Sequence, residues 1–517
     1  MNKSTTPPST PNSGEIARGI RGSSLLFAGR CLSLGMNFAI QLAAVRYFSK
    51  DEFGVYSVAL SAVAVAAVFA AFGMDKTALR VLPRYQSTGD LRKFSAAAQL
   101  MALSTFLCSL LAIVVVYMTW GFEHIYSSPS RSMDVMLVMI WMTPCIVLDC
   151  FVTSLFSVFG KPRAIFVRQH ILGPLLRLLA VIVVVLAGGG IFAFAAGQVI
   201  ASLIGVLIYV TLVRSLIRER DDFVCVTWHD MKSTAREVFS YSLTLIFGDV
   251  GFLMRGAMVV LIIGIFHSPS EVAGFQAVFP AARLNDIVIA TFSMLFMPSA
   301  GRLFSEGAID SLNHLFRKTT IWTTVLSFPL FLACFLMPEQ LCVLLFGAQY
   351  ADSASTLAIL SLGFFINTIV GMNLRLIRVV SGLRMLILVD VISLAGAIGT
   401  NFLLVPTFGA VGGAWAILIG FGIQGIACMA AVAMTVDVNP VAWRLIRAYS
   451  LAGILTWGLW GAAGSALVAP VWMPVLLAAT SLLLAWLCRE DLEVANVFPE
   501  VARVPYLGRL LTTEQSG

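Results

Sequence analysis

Three arginines stand inside long apolar stretches of this sequence, where charged side chains are rare. They are Arg30 in the stretch 23–48, Arg255 in the stretch 238–265 and Arg283 in the stretch 274–298. A charge at the centre of a bilayer costs about 2.5–3.5 kcal/mol on insertion scales, so such a residue normally faces a wet cavity or a partner. A guanidinium is planar, stays protonated and matches the oxygens of a phosphate group. The three arginines therefore predict a cavity that receives an anion, with the alternative that Arg30 reaches the lipid headgroups instead.

Uncharged polar residues and one acid accompany these arginines at helical spacing. Asn37 and Gln41 follow Arg30 by seven and eleven positions, so the three residues form one stripe on a helix. The stripe fits a cavity wall, and interhelical hydrogen bonding is the equal alternative. Asp286 follows Arg283 by three positions, so the two side chains either neutralise each other or bind a substrate whose phosphate displaces the carboxylate.

Two further acids lie deep in apolar stretches, Asp249 in 238–265 and Asp149 in 133–159. A carboxyl group in a medium of low dielectric constant can carry a proton, or bind sodium when it is ionised. Proton or sodium coupling is the hypothesis for both, and a salt bridge to another helix is the alternative for Asp249. The sequence shows no metal-ligand spacing, phosphate-binding loop or nucleophile elbow, and its nine cysteines form no CxxC pair. No metal, cofactor or enzymatic activity is expected.

Composition assigns the chain to membrane proteins. Hydrophobic residues make up 59% of the 517 residues and charged residues only 12%, against about 25% charged residues in soluble domains. A ruler of about 20 apolar residues per crossing predicts an all-α integral membrane protein with about fourteen transmembrane helices. The predicted spans are 23–48, 54–73, 94–118, 133–159, 169–187, 191–213, 238–265, 274–298, 320–346, 355–374, 385–405, 410–436, 445–468 and 471–488.

The basic residues fix an orientation for these spans. With a cytoplasmic N-terminus, the inner segments hold 27 of the 34 Lys and Arg residues, and the outer loops hold only Lys50 and Arg131. This asymmetry is a strong positive-inside signal and predicts that both termini are cytoplasmic. The net charge of +7 thus comes from loops on one side of a membrane, and no nucleic-acid partner is expected.

Short motifs recur at an offset of about 220 residues and divide the chain. Gly54 and the residues beside it resemble the segment around Gly274, and the turn 188–190 resembles the turn at Gly409. Repeats of this kind are common in transporters, whose substrate site lies between the halves. The predicted parts are a disordered tail (1–22), an N-lobe of six spans (23–213), an inter-lobe loop (214–237), a C-lobe of six spans (238–436), two C-terminal spans (437–488) and a cytoplasmic tail (489–517).

Several motifs at span ends carry a family resemblance over residues 15–490. The motifs are Phe53-Gly54-Val55-Tyr56, Phe72-Gly73-Met74-Asp75, Pro83-Arg84-Tyr85, Leu345-Phe346-Gly347-Ala348-Gln349-Tyr350 and the segment from Leu404 to Ala414. Their order resembles the multidrug/oligosaccharidyl-lipid/polysaccharide (MOP) flippase superfamily, in particular its bacterial polysaccharide, O-antigen-type branch. The resemblance implies two six-helix lobes around a central cavity lined by spans 1, 2, 7 and 8. It also implies movement of a lipid-linked sugar from the inner to the outer leaflet by alternating access.

The resemblance leads to an expected function, location and set of partners. We expect a flippase for undecaprenyl-diphosphate oligosaccharide in the bacterial inner membrane, used in polysaccharide biosynthesis, with membrane lipid, a polysaccharide polymerase and other assembly-pathway proteins as partners. The alternatives are a drug exporter of the multidrug and toxin extrusion (MATE) type, a peptidoglycan-precursor flippase, and a membrane polymerase or glycosyltransferase. A cation exporter requires acids in its cavity, whereas the candidate lining spans here carry arginines. The short outer loops disfavour the enzymes.

Overall fold

Every regular element in the described part of the chain is a helix. The computed structural model describes residues 29, 32–126, 131–160, 162–218, 224, 226–436, 438–439, 442–464 and 472–492. Each of the fourteen predicted spans overlaps a helix in these ranges, because a backbone in lipid must satisfy its polar groups within its own segment. Nine helical stretches there are long and apolar enough to cross a membrane. The smaller number partly reflects a break in span 7 and the fusion of spans 11 and 12 across a kink. The predicted all-α membrane fold is confirmed.

Contacts between α-carbons divide the chain into two compact units, the first of which ends at Leu245 and lacks residues 48–65. Its helices are α1 (residues 32–47), the end of α2 (Lys50–Ala71), α3 (Met74–Ser87), α4 (Leu91–Tyr126), α5 (Arg131–Met139), α6 (Met142–Val158), α7 (Pro162–Ile165), a π-helix (Phe166–Leu172), α8 (Gly173–Leu186), α9 (Ile191–Arg218) and most of α10 (Trp228–Met254). A core of side chains from α3, α4, α6 and α9 holds this unit together. In it the rings of Phe156 and Tyr209 lie 5.5 Å apart.

The second unit comprises Phe48–Val65 and the chain from Ile246 onward. Its helices are the start of α2, the end of α10, α11 (Ala257–Phe266), α12 (Pro269–Ala282), α13 (Asn285–Ser305), α14 (Ile309–Leu336), α15 (Pro338–Phe346), a 3₁₀-helix (Ala348–Ser353), α16 (Ala354–Val380), α17 (Leu383–Thr435), α18 (Trp443–Gly464), α19 (Met473–Leu487) and α20 (Arg489–Leu492). The core lies between α13, α14, α16 and the C-terminal helices. The rings of Phe331 and Phe365 stack there at 4.4 Å. The domain limits drawn from the sequence stay a prediction.

Two glycines that are equivalent in the predicted repeat stand at close contacts within the second unit. A Cβ added to Gly54 would lie on the carbonyl oxygen of Pro269, and a Cβ added to Gly274 would lie 2.6 Å from Ser353 Oγ. Glycine is needed where another segment approaches the backbone this closely. Close approach at the start of a helix therefore gives both repeated motifs a physical reason.

The turn predicted between spans 11 and 12 is present as a kink inside α17. Gly409 has φ 56° and ψ −131°, and Pro406 lies three residues before it. Glu271 reaches this kink from α12, because its carboxylate accepts a hydrogen bond from Ala410 N at 3.3 Å. His267 Nε2 lies 3.0 Å from the carbonyl oxygen of Val405 just before the kink. These contacts fasten the start of α12 to the kink.

Replacing Gly409 by alanine should destabilise the second unit. Its dihedral angles belong to a region that side-chain-bearing residues avoid, and holding such a residue there costs about 1–3 kcal/mol. The new methyl group would also collide with the Glu271 carboxylate. Thermal unfolding of the purified protein in detergent measures the effect. Gly422→Ala is the matched control, since nothing lies within 4 Å of a Cβ at that helical position, and equal melting of the two variants would contradict the argument.

Candidate functional site

Span 7 is broken where Arg255 stands. Helix α10 ends at Met254, α11 begins at Ala257, and Gly256 between them has the non-helical angles φ −143° and ψ −96°. A break leaves carbonyl groups at the end of one helix and N–H groups at the start of the next without their usual partners. The carbonyl end of a helix favours a cation, and the N–H end favours an anion. Arg255 therefore lies between two helix ends of opposite polarity.

The Arg255 guanidinium has no counter-ion at contact distance. It lies over the ring of Phe421 at 5.6 Å. With the residues that the structure describes it makes no hydrogen bond or ion pair, and none of its nitrogens is sealed from solvent. Asp390 and Asp286 are near enough to attract it through space. The donors of this half-buried side chain are thus free to bind an anion.

Span 8 tightens at its own arginine, where Leu284 N and Asp286 N bond to carbonyl groups three residues back while Arg283 and Leu284 keep helical angles. Helix α12 ends at Ala282 and α13 begins at Asn285, so Arg283 closes one helix just before the next begins. Its Nε donates to Asp286 Oδ2 at 3.1 Å, which is the pair that the i, i+3 spacing predicts. Asn367 on α16 donates to the other carboxylate oxygen at 3.2 Å. The side chains of Arg283 and Asp286 are 43% and 30% exposed, so an incoming anion could reach the pair. Its role in substrate binding stays a prediction.

The two acids proposed for ion coupling differ in their surroundings. Asp249 is half-buried in α10, six residues before Arg255, and its coupling role stays a prediction. Asp149 on α6 lies 2.7 Å from the guanidinium of Arg168, of which only 7% is exposed. A permanent cation at this distance compensates the carboxylate without a proton or sodium ion. The coupling role of Asp149 stays a prediction, and the pair with Arg168 weakens it.

Arg168 falls between predicted spans 4 and 5, which places it in an inner loop of the predicted topology. It is buried inside the π-helix, donates from Nε to the Gly205 carbonyl at 3.0 Å and lies 4.8 Å from the ring of Tyr209. Cβ atoms on Gly173 and Gly205 would fall within 2.7 Å of its terminal nitrogens. Two glycines thus provide the space for this guanidinium. Sequence reasoning missed the pair with Asp149 because its halves lie nineteen residues apart on different elements.

The predicted polar stripe on the first span is only partly described. Arg30 lies outside the described residues. Asn37 is exposed, and its Nδ2 donates to the Ser33 carbonyl at 2.8 Å. Gln41, one turn further on, is half-buried. Membership of these three residues in a cavity stays a prediction.

One further arginine, Arg375, lies within a helix that is apolar and long enough to cross a membrane. Predicted span 10 ends at residue 374, which places Arg375 in a loop, whereas α16 continues to Val380. It is surrounded in the chain by buried Leu374, Leu376 and Ile377. The signal that could have found it is the apolar run that resumes directly after it.

The long apolar helices define a multi-pass membrane protein. Comparison with known families is more specific, because the family described as polysaccharide biosynthesis protein matches residues 20–304. The chain belongs to this family. The resemblance to the MOP superfamily that the motifs predict is confirmed.

Individual relatives are distant in sequence. An uncharacterized membrane protein of Methanocaldococcus jannaschii is 19% identical over 422 residues, covering 79% of this chain and 83% of the relative. A probable low-salt glycan biosynthesis flippase of Haloferax volcanii, Agl15, is 19% identical over 225 residues, or 43% of this chain and 48% of that protein.

Solved structures show the fold. Lipid II flippase MurJ in an inward closed conformation superposes with a TM-score of 0.67 at 14% identity, covering 94% of this chain and 100% of that one. An inward-facing multidrug resistance MATE family transporter of the MOP superfamily gives 0.57 at 14% identity, covering 78% and 95%. At this level of identity the agreement establishes architecture and leaves the substrate open.

Proposed function

We propose that the protein is a flippase that moves an undecaprenyl-diphosphate oligosaccharide from the inner to the outer leaflet by alternating access. The observation that carries the proposal is Arg255, a half-buried guanidinium at a helix break inside an apolar span, with no counter-ion at contact distance among the described residues. A cation in this position requires an anionic partner, and a lipid-linked sugar brings one in its diphosphate. The family to which the chain belongs supports a saccharide as the cargo.

The chemistry of the break suits a diphosphate better than a simple counter-ion. Arginine offers several N–H donors in a planar fork, and it can bind two phosphate oxygens at once. The first free N–H groups of α11, beside Arg255, add partial positive charge. Arg283 brings a second guanidinium, already paired with Asp286. In the proposed mechanism the diphosphate displaces Asp286 from Arg283 and is then held by both arginines.

The same charges argue against export of organic cations. A cation needs carboxylates that are free to bind it, whereas both oxygens of Asp286 accept hydrogen bonds here. A peptidoglycan-precursor flippase would use an equivalent diphosphate, so that alternative differs only in the sugar. We further propose two six-helix lobes with the domain limits given above, an inner-membrane location with cytoplasmic termini, proton or sodium coupling, and a polymerase of the assembly pathway as partner.

Translocation in proteoliposomes tests the proposal. The wild-type protein should carry a lipid-linked oligosaccharide to the opposite leaflet, where a sugar-cleaving enzyme added to one side no longer reaches it. Protein-free liposomes set the background rate, and a lipid-linked peptidoglycan precursor and a cationic dye serve as competing cargoes. Transport of the dye with no movement of either lipid would refute the proposal in favour of drug export.

A further inference from the structure

We propose that Arg375 forms a second anion site in the second unit, which takes a phosphate ester or a diphosphate. The ligand class rests on the proposed function, but the site itself rests on the surroundings of this one guanidinium. Arg375 lies in the last third of α16, and the residues beside it are buried. A charge in such a position is costly unless a partner compensates it.

Neutral groups hold the Arg375 side chain in one position. Its Nε donates to Ser293 Oγ at 3.2 Å, and its Nη1 donates to the Gly371 carbonyl at 3.0 Å. Ser293 is itself fixed, because its hydroxyl donates to the Ile289 carbonyl at 2.6 Å. A Cβ on Gly371 would lie 3.3 Å from Nη1 and 2.6 Å from Ile289 Cδ1, so the glycine leaves the room that this arrangement needs. The guanidinium is therefore oriented without being neutralised.

The remaining terminal nitrogen, Nη2, is open. It makes no hydrogen bond and no ion pair with any residue in the described ranges, and it is not sealed from solvent. The carboxylate that attracts Arg375 through space is that of Asp286. That carboxylate already accepts hydrogen bonds from Arg283 and Asn367. One terminal nitrogen of a fixed guanidinium thus keeps a donor that an oxyanion can bind.

Other arginines of this chain show what a structural role looks like. Arg168 lies 2.7 Å from Asp149, and Arg447 lies 2.6 Å from Asp491, so each has a carboxylate at contact distance. Arg375 shares with Arg255 the absence of such a partner among the described residues. Both arginines therefore keep donors that an anionic ligand can bind.

Arg375 lies in the same region as the proposed diphosphate site at Arg255, but the two sites are separate. Arg255 and Arg375 both act on Asp286 through space, and both, with the exposed Arg378, act on the buried thiol of Cys428. Yet Arg375 is fastened to α13 and α16, whereas Arg255 stands at the break of span 7. By the orientation inferred from the loop charges, Arg375 is nearer the cytoplasm. It would bind the anion before Arg255 does.

Diphosphate binding to the purified full-length protein tests the site. Farnesyl diphosphate is titrated by calorimetry in detergent into Arg255→Gln and into the double variant Arg255→Gln/Arg375→Gln. The single variant should retain a site, and the double variant should lose affinity about ten- to hundredfold, as for removal of a hydrogen bond to a charged group. Equal affinity of the two variants would overturn the proposal, as would the absence of binding in the wild type.

Further variants separate a missing ligand contact from a misfolded protein. Arg255→Gln/Arg375→Lys should recover part of the affinity and keep a steep dependence on salt. Arg302→Gln, an exposed change on neighbouring α13, should leave affinity unchanged in the same background. Failure of the lysine variant to bind better than the double glutamine variant would contradict a charge-based site.

Additional ligands identify the source of the phosphate. Displacement of farnesyl diphosphate by phosphatidylglycerol supports the site with a membrane lipid headgroup as the source of its phosphate. Displacement by inorganic diphosphate supports a free anion as the ligand, and resistance to both supports a prenyl diphosphate.

If the wild type binds farnesyl diphosphate through Arg375 but moves no lipid-linked sugar, the proposed function fails while the site stands. If the wild type translocates the lipid-linked sugar but the double variant binds like the single variant, the Arg375 site fails while the proposed function stands.

Discussion

Replacing Arg255 by glutamine should lower the affinity for a prenyl diphosphate about ten- to hundredfold. Glutamine keeps a polar group of similar reach but removes the charge, and a hydrogen bond to a charged group contributes about 1.5–3 kcal/mol. The wild-type guanidinium has no competing ion pair among the described residues, so little of this energy is spent on breaking protein contacts. Calorimetric titration with farnesyl diphosphate measures the change.

Two further variants define what the Arg255 result means. Arg255→Lys keeps the charge but loses the planar fork, so its affinity should lie between those of wild type and Arg255→Gln. Arg302→Gln removes an exposed arginine that is 3.5 Å from Glu306 on α13 and should bind normally. If Arg255→Gln lost as much free energy of unfolding as free energy of binding, Arg255 would instead have a structural role.

Breaking the pair of Arg168 with Asp149 should destabilise the first unit by about 3–5 kcal/mol, because one buried charge is left without its partner. Either Asp149→Leu or Arg168→Met does this. In Asp149→Leu the Arg168 guanidinium would keep its contacts with Tyr209 and Gly205 but lose the carboxylate that lies 2.7 Å from it. Unfolding of the purified protein in detergent measures the loss.

The double variant Arg168→Met/Asp149→Leu distinguishes a structural pair from a coupling site. If the pair is structural, stability should return close to wild type, since an apolar pair of similar volume commonly replaces a buried ion pair at little cost. Transport driven by an imposed proton or sodium gradient should persist in that variant. Normal stability together with loss of gradient dependence would assign ion coupling to Asp149 after all.

The helices were predictable from the sequence because the features that predict them are local. Apolar length and the charges of the loops are properties of neighbouring residues, and each predicted span overlaps a helix. The turn at Gly409 was also predictable, since glycine permits its positive φ. The i, i+3 pair of Arg283 with Asp286 follows from helical geometry alone.

The break at Arg255 and the tightened turn at Arg283 were not predictable by the same means. Apolar residues continue on both sides of each arginine, so hydropathy reads the spans as continuous. Which residue leaves the helical conformation depends on packing against other helices. The partner of Asp149 was not predictable for a related reason. In the sequence Arg168 resembles a cation in a loop, whereas in the structure it is buried within the π-helix. Arg375 was misplaced by a span that was drawn six residues too short.

Translocation by the Arg255→Gln variant tests the central claim most directly. Proteoliposomes containing wild type, Arg255→Gln or Arg302→Gln at equal protein content are loaded with a lipid-linked oligosaccharide, and the rate at which the sugar becomes protected from an added sugar-cleaving enzyme is followed. Wild type and Arg302→Gln should translocate at equal rates, and Arg255→Gln should show only the background rate of protein-free liposomes. Translocation by Arg255→Gln at the wild-type rate would contradict the claim.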